Sequence, residues 1–237
     1  MLDFDGTLSP ITARHRRATL SPVARRALVR LTKQLPIAVI SGRSLGDVRS
    51  RIRIAGISYA GSHGLEMRMA RPHVHIAVTM PKETMQMFRA ARANLSKIAK
   101  KYRGVSIEDK GKSYAIHYRR LSHKQAEAFV SEAGTVLAPY ILSGKIRVIN
   151  DLSTFDLVPH SGRTKGQCAR EMYAALKRHK NAVPVYIGDG VTDEDAFAAF
   201  QRSGITIRVG RSRTSHAQYY FSSRSDVDNF LTKILTV

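Results

Sequence analysis

Two aspartates near the start of the chain have the spacing of a paired-carboxylate site. Asp3 and Asp5 stand in the run DFDGT. Residues i and i+2 of an extended segment point to the same side, so we expect both carboxylates at the carboxyl end of one strand. Carboxylates this close raise each other's pKa unless a cation or a division of acid and base roles offsets the repulsion. An Asp-Gly turn that follows another aspartate by chance is the alternative interpretation.

A second acidic run, GDGVTDED, occupies residues 188–195 and follows an apolar stretch. Capping of the next helix by Thr192, with acidic residues favoured in the first helical turn, would explain Asp193. It would not explain Asp189, which lies in the turn after the strand. Four carboxylates together would form an all-oxygen site suited to Mg²⁺: Asp3, Asp5, Asp189 and Asp193.

Two further segments carry residues suited to binding an anion. Ser41, Gly42 and Arg43 follow a buried strand and open a helix, so backbone N–H groups and the serine hydroxyl can hold a phosphate. Lys165 follows Thr164 in the first turn of another helix, where a positive charge opposes the macrodipole. A lysine placed against this preference is a candidate for neutralising a phosphoryl group and the nucleophile beside it.

The elements that must position these residues alternate between short apolar runs and amphipathic stretches, which is typical of an α/β fold. Residues 21–34 begin with a serine and a proline and place apolar residues on one face, which predicts a helix. The run PIAVISGR predicts a buried parallel strand that ends in a glycine turn. The same order returns later, where we predict a helix over 164–179, a strand in VPVYIGDG, a helix over 192–201, a strand in GITIRV and a last helix around 225–235.

The middle of the chain has a different pattern. Closely spaced strands accompanied by two helices predict an antiparallel sheet in an α+β insert. The strands are expected in HVHIAVTM, VSIED, KSYAIHYR, KIRVIN and TFDLV, and the helices over 81–101 and 122–138. We therefore predict the α/β fold class, with a Rossmann-like parallel-sheet core from residues 1–72 and 159–237 and an inserted α+β cap domain from residues 73–158.

Composition restricts the class of protein. The 237 residues include 39 Lys and Arg against 18 Asp and Glu, a net charge of +21, and 43% are hydrophobic, which suffices for a buried core. The excess charge is spread along the chain and aromatic residues are few, so no base-stacking platform is evident. The single cysteine, Cys168, excludes a disulfide framework. The sequence shows no membrane-spanning run and no signal peptide, so we expect a cytoplasmic monomer.

These motifs, in this order, resemble those of the haloacid dehalogenase-like phosphatases, in which DxDGT precedes a serine after a strand, then a lysine, then a GD…D run. More narrowly, the chain resembles the trehalose-6-phosphate phosphatase family along nearly its whole length. The matching stretches are LDFDGTLSPI, AVISGRSLGDV, AGSHGLE, IEDKGKSYAIHYR, the lysine of TKG, and IGDGVTDEDAF.

The resemblance implies a role for each core motif. Asp3 would be the nucleophile that forms an aspartyl-phosphate, and Asp5 would protonate the leaving sugar oxygen and then activate the hydrolytic water. The phosphoryl oxygens would be held by Ser41, Gly42 and Lys165. The Mg²⁺ site would be formed by Asp3, Asp5 through its carbonyl, and Asp189, with Asp193 supporting the metal shell.

The resemblance also implies that the cap binds the sugar. Acidic and basic side chains would form charge-assisted hydrogen bonds to its hydroxyls: Glu108, Lys110 and Asp156. Three more residues of matching motifs are substrate-binding candidates without a separate role: Arg43, His63 and Arg119. A solvated hairpin turn remains the alternative for residues 108–110, and a simple turn histidine remains the alternative for His63.

Three positions depart from the family's pattern. Only Met1 and Leu2 precede Asp3, so we expect a short first strand that loses ladder hydrogen bonds and holds Asp3 poorly. Gly190 stands where the family usually has an aspartate. Asp156 replaces the usual glutamate, which shortens the reach to the sugar by one methylene.

These features lead us to expect a Mg²⁺-dependent phosphatase acting on trehalose 6-phosphate, with no membrane or nucleic-acid partner. A phosphatase for another sugar phosphate, such as a sucrose or mannosyl phosphate, is the first alternative. A basic nucleic-acid-binding or regulatory module that has lost activity is the second, since the charge and the short first strand leave it open.

Overall fold

The computed structural model describes residues 1–12, 17–151, 153–160 and 163–236. The chain folds into two compact units, one formed by Met1–Ala77 with Arg163–Val237 and the other by Val78–Gly162. In chain order the elements are α1 (Pro22–Gln34), β1 (Ile37–Ile40), α2 (Leu45–Ile52), β2 (Ile57–Gly61), β3 (Glu66–Arg68), β4 (His75–Ala77), α3 (Lys82–Ala99), β5 (Ser106–Asp109), β6 (Tyr114–His117), α4 (His123–Leu142), β7 (Ile146–Asp151), β8 (Thr154–Pro159), α5 (Lys165–Leu176), β9 (Val185–Gly188), α6 (Glu194–Phe200), β10 (Ile205–Val209), β11 (Tyr219–Phe221) and α7 (Arg224–Lys233).

The first unit is built on one mixed sheet. β1 and β2 are parallel, and β9, β10 and β11 form a second parallel set. Leu2 forms parallel bridges to both β1 and β9 and so connects the two sets. β3 and β4 extend the β2 side in antiparallel fashion. The parallel sheet confirms the predicted α/β fold class.

The segment before Asp3 is short, yet it is bonded on both sides. The Leu2 amide donates to the Ala38 carbonyl at 2.9 Å, and the Leu2 carbonyl accepts from the Ile40 amide at 2.9 Å. On the other side, the Asp3 amide donates to the Ile187 carbonyl at 2.9 Å. The expectation that Asp3 would be poorly held is therefore wrong for its backbone. Although the segment is short, it forms hydrogen bonds to a neighbouring strand on each side.

Helices cover both faces of this sheet. α1, α2 and α7 lie on one face, where Val39 of β1 packs in a cluster with Leu28. α5 and α6 lie on the other, where Ile40 packs in a cluster with Met172 and Phe197. Burial on both faces explains why β1 is a continuous apolar run rather than an alternating one.

The helix that carries Lys165 begins where its sequence predicts. The Thr164 hydroxyl accepts from the Gln167 amide at 3.4 Å, and the Gln167 side chain accepts from the Thr164 amide at 3.1 Å. This reciprocal capping box satisfies two amides that lack partners at a helix start. It makes Lys165 the first residue of α5.

The second unit is an antiparallel sheet with the strand order β5-β6-β8-β7. One face carries Ile116 and Leu157, which are fully buried and cluster with Phe88 and Leu95 of α3 and Phe129 of α4. The antiparallel sheet with two helices agrees with the pattern predicted for the middle of the chain.

One predicted strand belongs elsewhere. HVHIAVTM was expected to open the middle domain, but the strand that forms within it, β4, pairs with β3 in the sheet of the first unit. The reason is local: the Met69 amide donates to the Val74 carbonyl at 2.8 Å, which closes a hairpin onto the preceding strand.

Candidate active site

Three of the predicted site residues follow neighbouring parallel segments of the core sheet. Asp3 comes directly after Leu2, Ser41 after β1, and Asp189 after β9. The carboxyl ends of adjacent parallel strands lie at the same edge of a sheet. The fold therefore brings these three residues to one edge although they are far apart in sequence.

Lys165 connects two of the acidic residues at this edge. Its Nζ donates to Oδ1 of Asp3 at 2.8 Å and to Oδ1 of Asp193 at 2.9 Å. All three side chains are almost completely buried. Burial of charges at this density is tolerated only when each is paired, and here one ammonium serves two carboxylates.

The helix starts around this bridge lie very close together. A Cβ built at Gly166 would lie 2.2 Å from the backbone oxygen of Asp195. Only glycine allows α5 to approach the start of α6 this closely. The close approach brings Lys165 within hydrogen-bonding distance of Asp193.

Asp193 is held by two further donors. The Tyr186 hydroxyl donates to its Oδ1 at 2.7 Å, and the Gly190 amide donates to its Oδ2 at 2.9 Å. Thr192 is not the helix cap that the sequence suggested. It lies inside a 3₁₀ turn, Val191–Asp193, and Asp193 itself occupies the N-cap position of α6.

Burial and neighbouring charges shift the pKa values in this cluster. Burial raises the pKa of Asp3 well above its usual range, against the effect of Lys165 and with that of Asp193 and Asp189. Burial alone would lower the pKa of Lys165, but the carboxylates of Asp193 and Asp3 hold it above its ordinary value. Burial, followed by the charge of Asp193, raises the pKa of Tyr186. Lys165 is therefore held as a cation, and the raised pKa of Asp3 means that this one ammonium does not offset the burial and mutual repulsion of the carboxylates around it.

A divalent cation fits the remaining imbalance. Asp3, Asp189 and Asp193 each offer a carboxylate oxygen, and these oxygens lie within 4.8 Å of one another. Gly6 has a φ of +77°, and a Cβ there would lie 2.0 Å from Oδ2 of Asp189, so glycine leaves the space that this carboxylate occupies. The Thr7 hydroxyl donates to the other oxygen of Asp189 at 3.3 Å. An all-oxygen donor set suits a hard cation.

Asp5 has a different environment from Asp3. Arg43 binds both of its carboxylate oxygens, with Nε and Nη2 each 2.6 Å away, and its Nη1 donates to Asp47 at 2.7 Å. The Asp5 side chain is 43% exposed, whereas that of Asp3 is 7% exposed. The two aspartates of DFDGT therefore differ in burial and in the cation they contact, as a division of roles requires. Arg43, predicted to bind substrate, is a partner of Asp5 in this state.

The loop after β1 packs against the segment that follows β2. Ser41 is buried, and its hydroxyl accepts from the Arg43 amide at 3.2 Å. The His63 amide donates to the Ser41 carbonyl at 3.1 Å, and a Cβ at Gly42 would lie 2.7 Å from the His63 ring. His63 is thus buried against the loop that was predicted to bind phosphate, and its role in substrate binding stays a prediction.

The predicted sugar-binding residues lie on the second unit. Lys110 Nζ donates to Oδ1 of Asp156 at 2.9 Å, and both side chains are largely buried. Oε2 of Glu108 lies 3.0 Å from Nε2 of His117. Arg119 is exposed in the turn after β6. Residues 108–110 are therefore more than a solvated turn, because two of them form ion pairs or hydrogen bonds with residues of other strands.

A sequence model of the trehalose-phosphatase family matches residues 1–228. The chain belongs to the trehalose-phosphatase family. The resemblance drawn from its motifs is thereby confirmed. The carboxyl edge of the core sheet in this trehalose-phosphatase-family chain carries the motifs around Asp3, Ser41 and Asp189, and the second unit carries the stretch IEDKGKSYAIHYR.

Curated relatives extend this similarity over 98% of the chain. A trehalose-phosphate phosphatase of Mycobacterium tuberculosis is 32% identical, and the chain covers 60% of that protein. A protein of the same organism described as an uncharacterized glycosyl hydrolase is 33% identical, and the chain covers 18% of it. The chain therefore spans 60% or less of the length of these two relatives.

The fold of this family member is also found in a solved structure. The C-terminal domain of the Candida albicans trehalose-6-phosphate phosphatase superposes with a TM-score of 0.84 at 18% identity, covering 100% of this chain and 91% of that one. Within the described part of the chain, none of the helices is both long and apolar enough to cross a membrane.

Two residues that contact predicted site residues in this trehalose-phosphatase-family chain were not themselves predicted. Tyr186 stands in the strand VPVYIGDG, and the only signal was that a buried tyrosine hydroxyl needs a hydrogen-bond partner. His117 lies nine residues after Glu108 in the stretch IEDKGKSYAIHYR. The sequence alone could not indicate that His117 contacts Glu108, because the register of the hairpin must be known before residues on its two strands can be paired.

Proposed function

We propose that the chain is a phosphatase that hydrolyses trehalose 6-phosphate to trehalose and phosphate, with Mg²⁺ as cofactor and Asp3 as nucleophile. The observation that carries this proposal is the buried Asp3–Lys165–Asp193 bridge with Asp189 beside it, in a member of the trehalose-phosphatase family. A carboxylate cluster and a fixed ammonium at one strand edge suit a phosphate ester, since the cluster binds a cation and the ammonium binds phosphoryl oxygens.

In the first step, a carboxylate oxygen of Asp3 attacks phosphorus, and the bond between phosphorus and the sugar oxygen breaks. Asp5 delivers a proton to that oxygen, so trehalose leaves as a neutral alcohol and Asp3 carries the phosphoryl group. The exposure of the Asp5 side chain supports this role, because the carboxyl can be reached by a substrate. Both of its oxygens accept from Arg43 in the structure, so one of these contacts must open before Asp5 can carry the proton that it delivers.

In the second step, Asp5, now a carboxylate, takes a proton from water while the water oxygen attacks phosphorus. The bond between phosphorus and Asp3 breaks, and inorganic phosphate leaves. Lys165 keeps Oδ1 of Asp3 oriented throughout, and Ser41 and Gly42 provide donors near the phosphoryl oxygens. Mg²⁺, held by Asp3, Asp189 and the carbonyl of Asp5 with Asp193 in support, would reduce the repulsion between the nucleophile and the phosphate dianion.

The sugar is the part of the substrate that we assign to the second unit. Glu108, Lys110 and Asp156 combine acceptors and a donor on one sheet, as hydroxyl recognition requires. Arg43, His63 and Arg119 remain proposed substrate contacts.

The test is phosphate release from trehalose 6-phosphate, measured with Mg²⁺, after removal of Mg²⁺ by a chelator, and after Mg²⁺ is restored. Phosphate release from glucose 6-phosphate and from sucrose 6-phosphate is measured separately for comparison. We expect kcat/KM for trehalose 6-phosphate to exceed the others by about 100-fold or more, because unpaired binding groups penalise a smaller or differently linked sugar. Faster release from sucrose 6-phosphate would assign the chain to another sugar phosphate.

Asp3→Asn tests the nucleophile, with Asp195→Asn as the matched control on α6. Asp3→Asn should abolish release, whereas Asp195→Asn should retain it. Turnover by Asp3→Asn at the wild-type rate would show that Asp3 is not the nucleophile.

A further inference from the structure

One face of the second-unit sheet carries a set of polar residues in register. Ser106, His117 and Thr154 pair directly across β5, β6 and β8, and Glu108, Ala115 and Asp156 form the next such row. Residues paired directly in an antiparallel sheet share a face, and so do residues two apart on one strand. The opposite face packs on α3 and α4, so this polar face is the one that can meet a ligand.

His117 contacts a neighbour on each side of it. Its Nε2 lies 3.0 Å from Oε2 of Glu108, and its Nδ1 lies 3.3 Å from the hydroxyl of Thr154. An ionised carboxylate only accepts hydrogen bonds, so Nε2 must carry the proton in this contact. The Thr154 hydroxyl can donate to Nδ1 or accept from it, so the ring stays oriented whether the imidazole is neutral or protonated.

The contact restricts a side chain that would otherwise be flexible. A glutamate on a sheet surface samples several rotamers and loses that freedom when it binds a ligand. Here Oε2 is held by His117, and the Glu108 side chain is 31% exposed while that of His117 is 23% exposed. A carboxylate ordered before the ligand arrives binds more tightly than one that must be ordered on binding.

We propose that His117 is a positioning residue for sugar recognition, which holds the carboxylate of Glu108 in the orientation that accepts sugar hydroxyls. The inference rests on the proposed function for its substrate. It adds a residue that affects sugar binding by orienting Glu108 and that contacts neither the phosphate nor the metal. The alternative is a structural cross-strand pair, which would affect folding but not the sugar dependence of the reaction.

The experiment compares three variants on two substrates. His117→Leu removes both ring nitrogens, His117→Gln keeps an N–H donor for Glu108, and His123→Leu is a matched control at an exposed histidine of α4. The substrates are trehalose 6-phosphate and p-nitrophenyl phosphate, which lacks a sugar. We expect His117→Leu to raise KM for trehalose 6-phosphate about tenfold with little change in kcat, and to leave kcat/KM for p-nitrophenyl phosphate within about twofold. His117→Gln should recover most of the loss, and His123→Leu should behave as wild type.

Two kinetic results would decide against the inference. An unchanged KM in His117→Leu overturns it, as does an equal loss on both substrates, which a structural role predicts. If the wild type releases no phosphate from trehalose 6-phosphate, the proposed function fails, and a crystal structure of His117→Leu decides the inference separately. A Glu108 carboxylate that moves by about 1 Å or more supports a positioning role, and one that stays in place refutes it.

Discussion

The ammonium of Lys165 donates to Oδ1 of Asp3 at 2.8 Å, from the first residue of α5 to the end of the short strand around Leu2. The same ammonium donates to Asp193 at 2.9 Å. A single cation thus connects three segments of the core: the start of the chain, the start of α5 and the start of α6. It also neutralises part of the charge that the proposed nucleophile and its neighbours bring into a buried place.

Replacing Lys165 with methionine should impair both activity and stability. The variant leaves Asp3 and Asp193 buried without their common cation, so the free energy of unfolding should fall by about 3 kcal/mol in urea titrations. Phosphate release should fall at least about 100-fold, since a donor to the reacting groups is lost. Lys180→Met, at an exposed position beyond α5, is the control and should match the wild type. A fully active Lys165→Met would refute the assigned role.

Gly6→Ala should disrupt the site through sterics alone. The new Cβ would lie 2.0 Å from Oδ2 of Asp189, at a φ of +77° that alanine disfavours. We expect a loss of about 1–2 kcal/mol in stability and a large loss of phosphate release. Gly46→Ala on α2 is the matched control, because nothing lies within 4 Å of its Cβ. It should be neutral or stabilise the fold by up to about 1 kcal/mol. Equal melting temperatures for the two variants would contradict the close approach.

Arg43→Lys tests whether the fork geometry of the guanidinium matters. Arg43 makes two hydrogen bonds to Asp5 and one to Asp47, and a lysine ammonium cannot reproduce this planar arrangement. Losing one charge-assisted bond corresponds to about a tenfold decrease in phosphate release. Arg30→Lys, exposed on α1, controls for the general effect of the exchange. If Arg43→Lys retains the full rate, positive charge alone suffices beside Asp5.

The thiol of Cys168 should make stability fall at high pH. Burial raises the pKa of Cys168 from its ordinary value near 9 to about 12. Below pH 9 both states keep the proton, whereas between pH 9 and 12 only the unfolded state releases it, so folding becomes less favourable as the pH rises. The contribution at pH 10 is a loss of about 1.4 kcal/mol.

The measurement for Cys168 is urea unfolding at pH 8 and pH 10, for the wild type and Cys168→Ala. The wild type should lose more stability between the two values than the variant does. A thiol reagent should label Cys168 at pH 8 only after urea is added. Rapid labelling of the folded protein would show that the thiol is accessible.

Much of the core site could be predicted because it depends on local signals. Asp3, Ser41 and Asp189 each follow an apolar run, and the rule that parallel strands end at a common edge places them together. The start of α5 could also be predicted, because its capping box is formed by Thr164 and Gln167, which lie within four residues of each other.

The pairings across the sheet could not be predicted in this way. Nothing in the spacing of Arg43 and Asp5 indicates that one would bind both oxygens of the other. The same holds for Tyr186 with Asp193, where the hydroxyl could have met any nearby acceptor. The placement of β4 next to β3 was missed because a short alternating run is compatible with either sheet.

By itself, the sequence determined most of the helices, the start of α5 and the residue types at the strand ends, since these depend on neighbours a few positions away. The tertiary structure alone decided that Leu2 joins two half-sheets, that Lys165 serves both Asp3 and Asp193, and that His117 contacts Glu108. Those relationships depend on register and close approach between distant segments, which are set by the packing of the whole chain.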